Sequence, residues 1–329
     1  MAPATLRDVA LRCGVSTATA SRALNNRHDV SDITKQKVQE MATMLGYVPN
    51  TMAQGLWSGS TKTIGVVITT ILSPFYAAMV DSLETQLRSN GFNIVLCSSL
   101  EDPAIELRAI KTLLQQRVDG IVLAPVHDQP EVEEFLEKNG VPYVLVARSA
   151  LHVDADFVGS DDMEVGRLAT NHLLERGHRQ IAFLNSKQSS SAKDRFEGYR
   201  LALEEHGLAV QPDFVWSLGP GERVDGALRS FLKQDPRPTA LFCFCDEIAL
   251  PTMEFLKERG YKIPEDIALV GVDNLHYTSQ LNPGLTTVDT HKEVIGEQAA
   301  RILIGKLQGP KRTPRKINVP ATLIERQSS

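Results

Sequence analysis

Apolar positions in the N-terminal part of the chain recur at helical spacing in three short bursts. Leu6, Val9 and Ala10 share one face of a helix that runs to Cys13, and Thr5-Leu6-Arg7-Asp8 ahead of it reads as a capping box. Gly14 ends that helix because glycine takes the left-handed conformation without a Cβ clash. Val15 supplies the apolar residue of a turn, and Ser16 caps a second helix from about Thr17 to Leu24, with small Ala20 where two helices must cross closely. Ser31 caps a third helix to Leu45, with Val38, Met41, Ala42 and Leu45 at helical spacing, and Gly46 closes it. Helix, glycine turn and second short helix make a helix-turn-helix arrangement.

From Ile64 the pattern changes to short apolar runs separated by amphipathic stretches. Ile64–Ile68, Asn93–Cys97, Gly120–Ala124 and Val141–Val146 read as buried strands, with helices near Phe75–Asn90, Ile105–Gln116 and Glu131–Lys138 between them. A second series has strands at Ile181–Leu184, Ala240–Cys243 and Ile267–Val272, and helices near Glu164–Arg176, Arg195–His206, Val224–Lys233 and Glu247–Arg259. Repeated strand–helix alternation means parallel sheets covered on both faces, and two series mean two lobes with a crevice between them. The expected fold class is an all-α helix-turn-helix headpiece on a two-lobed α/β body. Its divisions are residues 1–46, a hinge at 47–60, and a body at 61–329 whose lobes meet near 158, with the chain re-crossing near 290 and 320. The hinge is too short, and at Thr51 and Gly55 too poor in helix formers, to hold a helix alone in water.

Composition is that of an ordinary globular protein, 42% hydrophobic and 23% charged over 329 residues, which allows more than one core. The net charge of −5 hides an asymmetry: residues 1–62 carry seven Lys/Arg against four acids, and the remainder is net −8. A basic head on an acidic body suits a DNA-facing unit. There is no signal-peptide pattern and no membrane-length apolar run, so a cytoplasmic protein without a membrane partner is expected. The four cysteines, Cys13, Cys97, Cys243 and Cys245, form no disulfide framework; Cys243 and Cys245 alternate in an apolar run, where buried thiols are the plain reading and a metal pair the alternative.

The outer face of the second helix carries Thr17, Ala18, Ser21 and Arg22, small or polar side chains with one forked guanidinium. Such a face fits a major groove, where Arg can donate two hydrogen bonds to a guanine edge. Ser16, Thr19, Ser21 and Asn25 are sized for phosphate contacts, which position without specifying. The alternative is a purely structural three-helix subdomain.

Thr5-Leu6-Arg7-Asp8-Val9-Ala10, Gly14-Val15-Ser16 and Thr19-Ala20-Ser21-Arg22-Ala23-Leu24-Asn25, continued by Tyr47-Val48-Pro49-Asn50, Ala53-Gln54 and Leu56, closely resemble the lactose/galactose-repressor family of bacterial transcription regulators. The resemblance extends through Ala321-Thr322-Leu323-Ile324-Glu325-Arg326 and implies a body like a periplasmic sugar-binding protein. It implies that Thr5, Asn50 and Ala53 also touch DNA. It further implies that the hinge folds only on DNA and pairs with its dimer mate, with Leu56 wedged between base steps in the minor groove. Relatives often have basic residues after that leucine; Trp57-Ser58-Gly59-Ser60 stands here, so fewer phosphate contacts are expected.

In the body, Ser73-Pro74-Phe75-Tyr76 matches the family's pocket-lining turn, with Ser73 at its start and Phe75 either a ligand wall or simply the first core residue of its helix. Arg195 matches a family arginine that binds ligand hydroxyls or carboxylates. Asp246 and Asp273 follow strand ends, where a carboxylate can accept from paired sugar hydroxyls; capping is the alternative, above all for Asp246. Ala147 stands before Arg148 where relatives often carry an acid, and Gly219-Pro220-Gly221 stands where some carry an aromatic stacker. Both departures argue against a stacked purine. Arg148, Lys187 and Arg195 together tilt the site toward an anionic effector, so that a sugar, sugar acid or sugar phosphate is the expected class.

Phosphate-loop, G-x-S-x-G and H-E-x-x-H patterns do not occur, and His178 follows a helix end, where a cation favours the dipole. No cofactor, metal or catalytic residue is expected. The reading is a ligand-responsive transcription regulator, a repressor of carbohydrate-utilisation genes, acting as a homodimer on a near-palindromic double-stranded operator. The alternatives are a sugar-binding protein without regulatory action, or an α/β enzyme with a DNA-binding appendage.

Overall fold

The computed structural model describes residues 4–48, 59–126, 130–149, 154–187, 189–219, 221–309 and 313–329. Asn50, Ala53 and Leu56, and with them the expected hinge helix, lie outside the described residues. The chain divides into two compact units, Met1–Thr61 and Lys62–Ser329.

The first unit holds α1 (Leu6–Cys13), α2 (Thr17–Leu24) and α3 (Asp32–Met44). The capping box is formed: Thr5 Oγ1 accepts from the Asp8 amide at 3.3 Å while Asp8 Oδ2 accepts from the Thr5 amide at 2.8 Å. Gly14 takes φ 67° and turns the chain between α1 and α2. Val9, Ala10, Cys13, Ala20, Ala23, Val30, Val38 and Ala42 fill a core in which four alanines let the helices approach.

The second unit contains two six-stranded sheets. The first is built from β1 (Thr63–Ile68), β2 (Asn93–Ser98), β3 (Gly120–Leu123), β4 (Tyr143–Val146), β5 (Phe157–Ser160) and β11 (Lys316–Val319). They lie in the order β11-β5-β4-β3-β1-β2, all parallel. Strand alternation serves both faces. Ile64, Val66 and Ile68 pack toward α4 (Pro74–Ser89) and α11 (Lys292–Gln308), whereas Val67 packs toward α5 (Pro103–Gln115) and α6 (Pro130–Lys138).

The second sheet has β6 (Ile181–Ser186), β7 (Val215–Leu218), β8 (Ala240–Cys243), β9 (Ala268–Val272), β10 (Thr286–Asp289) and β12 (Thr322–Ile324), in the order β12-β10-β9-β8-β6-β7. Only the β10–β12 pair is antiparallel. Phe183, Phe242 and Val270 face α7 (Asp162–Glu175) and α8 (Ser190–Glu205); Leu184, Leu241 and Leu269 face α9 (Asp225–Phe231) and α10 (Asp246–Glu258). Cys243 is buried in that second layer as an apolar filler, all four thiols are free, and the described residues include no group of three or more side chains suited to a metal.

The chain passes between lobes after β5, between β10 and α11, and between β11 and β12. Strands β5, β7, β10, β11 and β12 are not among the apolar runs of the sequence. In β10 the reason is visible: Thr286 and Thr287 are fully buried, with Thr287 Oγ1 donating to Asp246 Oδ1 and Thr286 Oγ1 accepting from the Arg326 amide. A satisfied hydroxyl is buried at little cost, which hydropathy cannot register.

Candidate DNA-reading helix and ligand crevice

Helix α2 starts on Ser16, whose Oγ accepts from the Thr19 amide at 3.0 Å and lies 2.8 Å from the Thr19 hydroxyl. Ala20 and Ala23 turn inward and are fully buried, which leaves Thr17, Ala18 and Arg22 exposed on the opposite side. Ser21 is half-buried, and its carbonyl accepts from Asn25 Nδ2 at 2.8 Å, so that Asn25 closes the helix. Arg22 Nη1 donates to Asp29 Oδ2 at 3.0 Å. Exposed Thr5 completes the polar side through its capping box.

In the second unit, β1, β6, β8 and β9 deliver their carboxyl ends to one region. Asp273, one residue past β9, has φ 106°, and Asn274 follows with φ 48°. Two consecutive positive φ values at non-glycine residues are strained and persist only where surroundings over-determine them. Here they do. Asp246 Oδ2 accepts from the Leu275 amide at 2.9 Å, Lys292 Nζ donates to the Asp273 carbonyl at 2.8 Å, and Asn274 is gripped by Asp289, Thr287 and Arg326. The Asp273 side chain itself is only 5% exposed, and no described residue donates a hydrogen bond to its carboxylate. Burial pushes its pKa well up, against the pull of the Arg195 guanidinium.

Arg195 is also 5% exposed. Its Nε donates to Asp162 Oδ1 at 2.8 Å, its Nη1 donates to the Phe244 carbonyl at 2.5 Å, and its guanidinium lies 4.4 Å from the Phe244 ring centroid. Two glycines make this possible. A Cβ at Gly166 of α7 would lie 2.2 Å from the Arg195 carbonyl oxygen, and one at Gly198 of α8 would lie 2.0 Å from that of Met163. The close crossing places Asp162, at the start of α7, against Arg195.

Arg148, just past β4, receives both oxygens of Glu101: Nη2 to Oε1 and Nη1 to Oε2, each at 2.8 Å. Two adjoining hollows open beside this pair. One, of about 660 Å³, is lined by Arg148, Ser149, Asn185, Ser189, Ser190 and Ser217 among others. The other, of about 420 Å³, is lined by Glu101, Gly219, Glu222 and Glu247 among others, and the two share Ser186 and Lys187. Lys187 Nζ reaches Glu222 Oε2 at 3.4 Å. The lobes are bridged directly here: Ser73 Oγ donates to Glu247 Oε2 at 2.6 Å, Ser191 Oγ to the Ala147 carbonyl at 3.2 Å, and the Ser149 amide to Ser190 Oγ at 3.0 Å.

Residues 5–50 match the family described as bacterial regulatory proteins, lacI family, and residues 170–329 match a periplasmic binding protein-like domain. The HTH-type transcriptional repressor PurR of Mannheimia succiniciproducens is 31% identical over 99% of this chain and 98% of its own length. PurR of Vibrio cholerae serotype O1 is 32% identical with the same coverage. The chain belongs to the lacI family. Among solved structures, a lac repressor dimer bound to operator and the anti-inducer ONPF superposes with a TM-score of 0.87 at 27% identity, covering 99% of each chain. The transcriptional regulator CelR in complex with cellobiose gives 0.76 at 30% identity, covering 99% of this chain and 100% of that one.

This lacI-family protein is thus a ligand-responsive, DNA-binding transcriptional repressor and not an enzyme. Its fold is the expected helix-turn-helix headpiece with a two-lobed periplasmic-binding-protein-like body. Among the described residues no helix is long and apolar enough to cross a membrane.

The structure does not treat the six body residues alike. Arg148 lines a hollow; Arg195 and Asp273 lie buried near one another, lining neither. Ser73 serves as a bridge to the other lobe, and Phe75 is half-buried, edge-on to Tyr76 at 5.1 Å and packed on the first-lobe core. Asp246 differs from the expectation of a ligand contact: it has no exposed surface, and its oxygens are used by the Leu275 amide and the Thr287 hydroxyl. It positions the strained turn that carries Asp273. Three residues were missed in the sequence, Glu101, Asp162 and Glu247. Each falls near the carboxyl end of a strand, the rule already applied to Asp246 and Asp273, and would have been found by applying it throughout.

Proposed function

We propose that this repressor binds a near-palindromic operator as a cytoplasmic homodimer, with Thr17, Ala18 and Arg22 toward the bases and Thr5, Ser16, Thr19, Ser21 and Asn25 toward the backbone. Asn50, Ala53 and Leu56 of the hinge complete the DNA contacts in this reading, and carbohydrate-utilisation genes are its targets. The effector is a neutral polyhydroxylated molecule of the sugar class, held by Arg148, Arg195, Asp273, Ser73 and Phe75.

The observation that carries the choice of a neutral ligand is the Glu101 carboxylate clamped on Arg148. Arg195 is likewise paired with Asp162 and Lys187 with Glu222, so each of the three cations that suggested an anion already has its carboxylate. An anionic effector bound to Arg148 or Arg195 would have to displace Glu101 or Asp162, leaving a partly buried acid without its partner, whereas the exposed Lys187–Glu222 pair would yield at little cost. The serine hydroxyls and the Asn185 amide that line the larger hollow instead suit a ligand with many O–H groups. Titration calorimetry of the full chain with neutral sugars, the corresponding sugar acids and the sugar phosphates tests this. Heat from a neutral sugar that also alters operator affinity is expected; binding confined to the acids or phosphates would exclude it.

A further inference from the structure

Asp29 lies in the connection between α2 and α3, four residues past the Asn25 that caps α2. It is fixed from its own side, because the next residue, Val30, is buried in the headpiece core and Ser31 caps α3 through the Thr34 amide. Its Oδ2 accepts from Arg22 Nη1 at 3.0 Å, while both side chains remain open to solvent, 56% for Arg22 and 45% for Asp29. Among the described residues Arg22 makes no other hydrogen bond through its guanidinium. That bond also holds the Asp29 carboxyl below the ordinary carboxylate range, so the group is ionised at neutral pH.

An acid on a DNA-reading face works against affinity, since it repels the phosphates that dominate binding. Its geometry gives it another use. Nη1 stands on the Cδ side of the guanidinium, so a carboxylate there leaves the opposite edge, Nε and Nη2, as two parallel donors. Guanine offers two acceptors, N7 and O6, to such an edge, whereas adenine offers one acceptor and one donor. An untethered arginine, long and rotamer-rich, can swing to a phosphate instead, a contact that carries no sequence information. We propose that Asp29 is a specificity-determining positioning residue that holds Arg22 in a guanine-reading pose and exchanges general DNA affinity for discrimination at one base pair. The inference rests on α2 being the base-reading helix.

The test compares full-length wild type, Asp29→Asn, Asp29→Ala and Arg22→Ala by enrichment of random duplex DNA and sequencing, followed by anisotropy titrations on the enriched site and its single-base variants. Both Asp29 variants are expected to bind all duplexes at least as tightly as wild type, yet to lose about two- to fivefold of discrimination at one guanine, the scale of a solvent-exposed ion pair. Arg22→Ala should lose more than about tenfold at the same position. If Arg22→Ala loses that preference while the Asp29 variants keep it, Asp29 does not position Arg22. A uniform fall in affinity for every duplex in the Asp29 variants would make its role merely structural and would also overturn the proposal. No change at any position in Arg22→Ala would remove the reading of α2 itself.

Discussion

Asp246 shows how much can hang on one buried carboxylate. It has no exposed surface, and burial pushes its pKa up to about 7 despite hydrogen bonds from Leu275 and Thr287 that favour the charged form. In the unfolded chain an aspartate titrates near 3.9. A carboxyl whose folded pKa is raised makes the native state bind the extra proton, so its contribution to stability is fully present below the unfolded pKa and is lost as pH rises through about 7. His172 and His178, whose pKa values burial lowers, act in the opposite sense in acid. The comparison that isolates Asp246 is therefore with Asp246→Asn, which cannot ionise. Its melting temperature relative to wild type should climb from pH 5 to about pH 7 and then level off in scanning calorimetry; a gap that is flat with pH would show that Asp246 is ionised at no cost. Little of this was legible beforehand. Position after a strand marked both Asp246 and Asp273, with capping the alternative above all for Asp246; packing buries both, and it is the hydrogen bonds from Leu275 and Thr287 that give Asp246 its structural role.

At the scale of elements, the close crossing of α7 and α8 sets the Arg195–Asp162 pair. Gly166→Ala would drive a Cβ into the Arg195 carbonyl, a backbone atom that cannot step aside. A loss of about 1–3 kcal/mol or more is expected in urea unfolding, as for overpacked cores, together with weaker effector binding as Arg195 shifts. Wild-type stability in Gly166→Ala would mean that the helices cross less tightly. Most helices were readable from sequence because cap residues and helical spacing are local signals, and Thr5 with Asp8, Ser16 and Ser31 all cap where they were expected to; α11 (Lys292–Gln308) was not among the helices read. Strands β5, β7, β10, β11 and β12 were not, because short strands with Gly, Ser or Thr gain their hydrogen bonds and burial from neighbours distant in sequence.

For the whole molecule, a headpiece carrying only a small positive excess offers few phosphate contacts, so useful operator affinity calls for two heads on one site. Sedimentation at micromolar protein should show a dimer that binds operator with one dimer per site; a stable monomer binding with full affinity would exclude the two-headed arrangement. Within the body, Ser73–Glu247, Ser191–Ala147 and Ser149–Ser190 tie lobes that share three chain crossings, so any ligand between them bears on all three links. By itself the sequence determined the headpiece, the alternating α/β body, the two lobes and the family, since each is written in periodicity, caps and spaced motifs. Tertiary structure alone decided the charge state of the crevice. Glu101 lies 47 positions from Arg148 and Asp162 lies 33 from Arg195, and no local pattern can say which distant carboxylate a folded chain will bring to a given cation. Three cations read along the chain suggest an anion; the same three, each with its acid in place, suggest a neutral sugar.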